Sequence, residues 1–145
     1  MKLTEIQKAY LAGFLDADGS IYVRAKPNST YRFGYQIAPY IVFYQSSKSV
    51  LFEKVCTQIG VGRKRVRKDG VTEYIIGKQE EILDFLNSVE PYLILKKEQS
   101  KILREILKIK ESVVSRNDFQ RILTLCNQFS NLNYSKKRKI RTLSP

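Results

Sequence analysis

Histidine and tryptophan are absent from this 145-residue sequence, which has only two cysteines, four prolines and one methionine. The lack of histidine removes serine triads, cysteine–histidine pairs and histidine-ligated metals together. Cys56 and Cys126 both lie in apolar, helix-like sequence. Two cysteines are too few for a disulfide framework or a thiolate zinc site, so they read as buried free thiols. Catalysis, if there is any, must use carboxylates, lysines or the backbone. No apolar run approaches membrane-spanning length, and MKLTEIQK at the start alternates charge with hydrophobe, unlike a secretory signal. An intracellular protein with no membrane partner is therefore expected. The scarcity of proline beside 43% hydrophobic and 11% aromatic residues excludes a disordered tail as the main character of the chain. Its length suits one domain, residues 1–145, with a basic C-terminal tail over 135–145.

What is plentiful is positive charge. Twenty-six Lys and Arg against fourteen Asp and Glu leave a formal +12, a field that favours a polyanionic partner, with nucleic acid first among the options. A merely soluble or ribosome-associated basic protein would share that composition.

Hydrophobic periodicity sets out the elements. Thr4 can cap a first helix whose apolar positions are Ile6, Tyr10, Leu11, Phe14 and Leu15, with an end near Asp16. From Ser20 to Lys26 the period becomes two: Ile21, Val23 and Ala25 share one face, and Ser20, Tyr22, Arg24 and Lys26 the other. Residues 27–30 read as a turn, and Tyr31 to Gln45 as a long returning strand, in which Pro39 implies an edge or a bulge. Leu51, Val55 and Ile59 mark a second helix stopped by Gly60. Arg63–Arg67 and Val71–Ile76 flank Asp69-Gly70, a hairpin turn signal. A helix ended by Pro91 and two longer helical stripes, Leu95–Ile109 and Asp118–Leu132, complete the pattern. The order predicts an α+β fold, an αββαββα core with one mainly antiparallel sheet and the helices on one face of it. The two strand pairs hint at a weak internal repeat.

One segment carries chemistry: Leu11-Ala12-Gly13-Phe14-Leu15-Asp16-Ala17-Asp18-Gly19. Ala9, Ala12 and Gly13 form a small-residue patch that would let a second helix approach closely, a candidate dimer interface. An acidic residue at the end of each helix would then bring two carboxylates together. That is costly unless divalent cations share them, and hard oxygen ligands suit Mg2+. A plainer reading has Asp16 and Asp18 end a helix and start a turn with Gly19. The preceding helix and the basic strand that follows favour catalysis at Asp18 and a structural role for Asp16.

The same string resembles, almost letter for letter, the signature of the LAGLIDADG homing endonucleases, and the order of elements is similar to the homodimeric, single-motif branch. The resemblance implies an intron-encoded, site-specific DNA endonuclease that cuts both strands of a long pseudo-palindromic target as a homodimer, using Mg2+ or Mn2+. By its motif, Asp18 matches the metal-binding catalytic aspartate and Ala17 the residue whose backbone carbonyl assists it. Gln45 falls where a polar residue positions water, and Lys96 resembles the active-site lysine. A further basic residue has only Lys48 nearby, with Ser49 at the matching position.

Contacts to double-stranded DNA follow from strand alternation: Tyr22, Arg24, Lys26 and Asn28 on the first strand, Gln36 and Tyr44 on the second. Arg63, Arg65 and Arg67 recur in the hairpin, where three arginines on one face would repel one another unless phosphate or guanine sits against them. A hairpin edge protected by charge is the plainer account. Glu73 belongs to the same DNA-contacting set, and Ser135, Lys136 and Lys139 in the tail would hold phosphates. Two other functions fit the scaffold: an RNA maturase, whose splicing help would persist without Asp18, and a non-catalytic DNA-binding regulator, which the presence of Asp18 disfavours.

Overall fold

The computed structural model describes residues 2–133 and 139–144. Helix α1 (Glu5–Asp18) opens on Thr4, whose hydroxyl accepts from the Gln7 N–H while the Gln7 side chain accepts from the Thr4 N–H. This reciprocal capping box satisfies two donors that a helix start leaves free. The helix runs two residues past its expected end and passes directly into strand β1 (Gly19–Pro27) with no turn. Gly19 is extended, so its value is steric: a Cβ there would lie 2.5 Å from Leu15 Cδ1 and 2.8 Å from the Leu15 carbonyl.

Strand β2 (Tyr35–Ser46) returns antiparallel to β1; α2 (Phe52–Ile59) follows, stopped by left-handed Gly60, and then come β3 (Arg63–Val66) and β4 (Val71–Ile76). The sheet order is β1-β2-β4-β3, every pairing antiparallel. Gly70 at φ +85° makes the hairpin turn. β2 starts later than the aromatic run suggested, because residues 28–34 form a loop closed by Asn28 N–H to the Gly34 carbonyl. Pro39 pairs with Val23 and lies beyond the β4 ladder, which ends at Ile41, so its missing donor meets no neighbouring strand on that side. Helices α3 (Gln79–Val89), α4 (Lys97–Glu111) and α5 (Arg116–Leu132) follow, with a single 3-10 turn at Glu90–Tyr92.

The five α-helices among the described residues pack on one face of the sheet. Ile21, Val23, Ile41, Phe43 and Ile76 meet Leu11, Leu15, Phe85, Leu86, Ile102, Leu103 and Phe129 in one core, and Cys56 and Cys126 are buried in it without forming a disulfide. The α+β expectation holds. Ala38, Val42 and Ile75 are buried but stand outside this core, covered from the other face of the sheet by longer neighbours. No helix among the described residues is long and apolar enough to cross a membrane.

Candidate active site and nucleic-acid interface

Two carboxylates two residues apart have opposite surroundings. The Asp16 carboxylate accepts backbone N–H bonds from Ile94 (2.8 Å), Leu95 (3.2 Å) and Lys96 (3.0 Å), fastening the end of α1 to the start of α4. An anion there also suits the helix dipole. Asp16 is structural, as its sequence setting suggested. Asp18, in the last turn of α1, is exposed and makes no hydrogen bond or ion pair with any described residue.

Lys96 bridges the two. Its ammonium donates to the Asp16 backbone carbonyl at 2.6 Å. Burial pushes its pKa down from the usual lysine value, while the nearby negative charges of Asp16 and Asp18 oppose that shift. The Lys96 head is thus held over the end of α1. Gln45 lies at the same end of the sheet: Gly19, next to Asp18, pairs with Phe43, two residues before Gln45. Its parity puts it on the Phe43 face, half-buried, with its amide oxygen taking the Ser46 N–H at 2.9 Å. Lys48 is exposed in the following turn.

Among the described residues no three His, Cys, Asp or Glu side chains gather in a metal-holding group. One chain therefore offers a lone carboxylate with free lone pairs and the neighbouring carbonyl of Ala17. These are hard oxygen donors that fit Mg2+ or Mn2+, but too few to fill a shell alone.

The outer face of α1 has the complementary character. Ala9, Gly13 and Ala17, four residues apart, are all exposed, and Ile6 and Tyr10 beside them are 83% and 53% exposed. Ile94 (78%) and Leu95 (72%) flank the same helix end through their bonds to Asp16. A Cβ on Gly13 would meet nothing within 4 Å. Ala12 departs from the expected interface: it is fully buried in the chain's own core with Leu11 and Leu15. At 100° per residue it falls on the sheet-facing side, and it cannot present its side chain to a partner. Ile6 and Tyr10, expected in the core stripe, lie outside for the same reason.

The sheet face away from the helices holds most of the expected DNA contacts. Tyr22, Arg24 and Lys26 of β1 stand opposite Tyr40, Ala38 and Gln36 of β2, and Tyr44 opposite Glu73 of β4. Residues directly opposite share a face. Arg65 also pairs with Glu73, and Arg63 with Ile75. The three arginines do not stand unrelieved: Glu73 lies 3.6 Å from both Arg65 and Arg67, and Arg67 also holds Asp69 at 2.5 Å. Only Arg63 of the three lacks an acidic partner among the described residues. Asn28 departs from its expected strand face, because β1 ends at Pro27; its side-chain carbonyl is engaged in a turn by the Thr30 N–H and hydroxyl.

Lys139 is exposed. With Arg141, Arg24, Ser20, Asn127 and Asn133 it lines a cleft of about 730 Å³ that opens beside Gly19. Arg141 reaches it because its backbone N–H and carbonyl both bond the Asn127 side chain, at 2.9 and 2.8 Å. Ser135 and Lys136 lie outside the described residues. Sequence reading missed Arg141 and Tyr40; Tyr40 has the parity of Gln36 and Tyr44 and could have been found by alternation.

A sheet so cationic and so open on one side places the molecule among proteins that bind nucleic acid on an antiparallel platform, with an acidic site at the platform's end. The family follows from the chain itself. The profile of the LAGLIDADG endonucleases matches residues 11–104, and the chain belongs to that family. DNA endonuclease I-CreI of Chlamydomonas reinhardtii is 34% identical over 132 residues, 90% of this chain and 80% of that protein. DNA endonuclease I-CvuI of Chlorella vulgaris is 28% identical over 137 residues, 94% of this chain and 85% of that one. The crystal structure of I-CvuI with its target in the presence of calcium matches with a TM-score of 0.85, covering 94% of this chain and 87% of that chain. The archaeal intron-encoded I-Vdi141I, complexed with DNA, shares the fold at a TM-score of 0.79 and 22% identity, over 95% of this chain and 89% of that one.

Proposed function

We propose that the chain is a site-specific homing endonuclease, intron-encoded and intracellular, that cuts both strands of a long, pseudo-palindromic DNA as a homodimer with Mg2+ or Mn2+. The observation that carries this reading is the unpartnered Asp18 at the tip of a helix whose outer face is small, apolar and uncovered. A twofold pairing through Ala9, Gly13 and their exposed neighbours would bring two Asp18 carboxylates together and join two sheets into one concave surface. A twofold protein reads a twofold site. I-CvuI, 27% identical, has been crystallised on uncleaved I-CreI target DNA in the presence of magnesium, which supports a DNA substrate and a divalent ion for this chain as well.

Asp18 and the Ala17 carbonyl would hold the metal, which when bound activates water and stabilises the leaving oxygen of a phosphodiester. The chain's own residues do the rest. Gln45 retains its amide N–H groups to orient water near the phosphate. Lys96, kept half-buried by its bond to the Asp16 carbonyl, sets a fixed positive charge beside the negative charge that develops during attack. Arg24, Lys139 and Arg141 grip phosphates in the cleft next to Gly19, supplying affinity and register. Tyr22, Lys26, Gln36, Tyr44, Arg63 and the Glu73-held arginines face the bases.

Replacing Asp18 by Asn tests the reading. With Mg2+ and a target selected from a duplex library, the variant is expected to bind with wild-type affinity and leave both strands intact. Cleavage by the purified variant would refute the assignment.

A further inference from the structure

Tyr40 belongs to no expected set of contacts, yet it organises the centre of the sheet's open face. Lys26 pairs in register with Gln36 and Tyr40 with Tyr22, so one residue of β1 on this face, Arg24, separates their rungs. Between them lies the Arg24–Ala38 rung, where Ala38 is buried and short. The side chains of Lys26 and Tyr40 close over that low point: the ammonium donates to the phenol oxygen at 2.5 Å and stands 5.1 Å from the ring centroid. The Tyr40 ring in turn packs against Tyr22 at 5.3 Å, tilted by 36°. A lysine head ordinarily sweeps a wide volume on its four-carbon stem and acts as a mobile point charge. Here one donor is engaged by the phenol, the ring packs on its neighbour, and two N–H groups of the ammonium remain for another acceptor.

We propose that Tyr40 is a specificity-determining positioning residue: it converts Lys26 from a general phosphate-seeking charge into a directed donor that reads the O6 and N7 acceptors of one guanine in each half-site. This rests on the DNA-binding function proposed above. The two remaining ammonium donors match the paired acceptors that guanine alone shows in the major groove. Holding the head in place before DNA arrives lowers the ordering cost of that contact. The phenol acts through Lys26 and needs no contact with the base itself.

The test is a binding selection in Ca2+ on duplexes in which each base pair of the wild-type chain's selected site is varied in turn. It uses wild type, Tyr40→Phe, Lys26→Met and the double variant. Tyr40→Phe keeps the ring and its packing on Tyr22 and removes only the oxygen. Guanine preference should fall about tenfold at one symmetry-related pair of positions, the ones lost in Lys26→Met, as expected for one good side-chain–base contact. The double variant should lose no more. The salt dependence of Tyr40→Phe binding should stay that of wild type, because no charge has been removed. A profile for Tyr40→Phe equal to wild type at every position, or a loss at positions that Lys26→Met leaves intact, overturns the proposal. If the wild-type chain selects no duplex, the DNA-binding function falls and this proposal with it; selective wild-type binding with an unchanged Tyr40→Phe profile sinks this proposal alone.

Discussion

Replacing Asp16 by Ala should destabilise the fold, whereas changing Asp18, two residues away, should leave it intact. Asp16 receives three backbone N–H groups between 2.8 and 3.2 Å, tying α1 to the start of α4 across 78 to 80 residues of chain. Hydrogen bonds to a charged group are each worth roughly 1.5–3 kcal/mol, and an N–H abandoned in the interior costs more. The donors at 94 and 95 belong to residues whose side chains are open to water, so solvent recovers part of the loss. The net cost of Asp16→Ala is then about 2–3 kcal/mol, below the simple sum of three such bonds. For a chain of this size that is a fall in Tm of about 5–10 °C. Asp18 is exposed and makes no hydrogen bond with a described residue, so Asp18→Asn, which removes only its charge near Lys96, should stay within about 0.5 kcal/mol of wild type. Thermal melts of the two variants, with Asp16→Asn as an intermediate, measure the contrast. Equal melting of the Ala and Asn variants at 16 and 18 would show that the α1–α4 fastening contributes nothing. Cleavage should slow in Asp16→Ala as well, because Lys96 takes its place from the same segment.

Two further outcomes follow from the geometry. Gly13→Leu meets open space within its own chain, so the variant should melt as a folded monomer, and sedimentation should show the dimer lost together with cleavage; an intact dimer would remove α1 from the interface. At the start of α5, the Val114 N–H, followed by the Ser115 hydroxyl and N–H, holds the Asp118 carboxyl below its ordinary 3.8. A depressed acid contributes stability above its unfolded pKa and loses it as pH falls through the folded value, so Asp118→Asn should lower Tm at neutral pH and flatten the decline below about pH 3.8. An acid limb identical to wild type would exclude Asp118 from it.

Much of this arrangement is legible in the sequence because it is periodic. The alternation Ile21-Val23-Ala25 against Tyr22-Arg24-Lys26 gave the two faces of β1, and Gly60 and Asp69-Gly70 marked a helix stop and a turn by demanding left-handed backbone. Asp18 stood out because a specific string surrounds it. What stayed hidden depends on contacts distant in sequence. No local pattern says that Asp16 will meet residues 94–96, or that Glu73 will stand between Arg65 and Arg67. The misplacement of Ala12 and Ile6 has a simpler cause. A helix bearing small and apolar residues on every side does not reveal which stripe faces its own sheet until that sheet is in place. Asn28 failed similarly, since one residue past a strand end the alternation no longer applies.

The central claim is that two copies of Asp18 come together. A nitroxide attached at Asp18→Cys measures this directly, because the native Cys56 and Cys126 are buried. Helices packed through small residues approach to about 8–10 Å, so the labelled protein on its DNA should give a spectrum strongly broadened by the partner's label, and dilution with unlabelled chain should sharpen it. A sharp, concentration-independent spectrum of an isolated label would contradict the paired site.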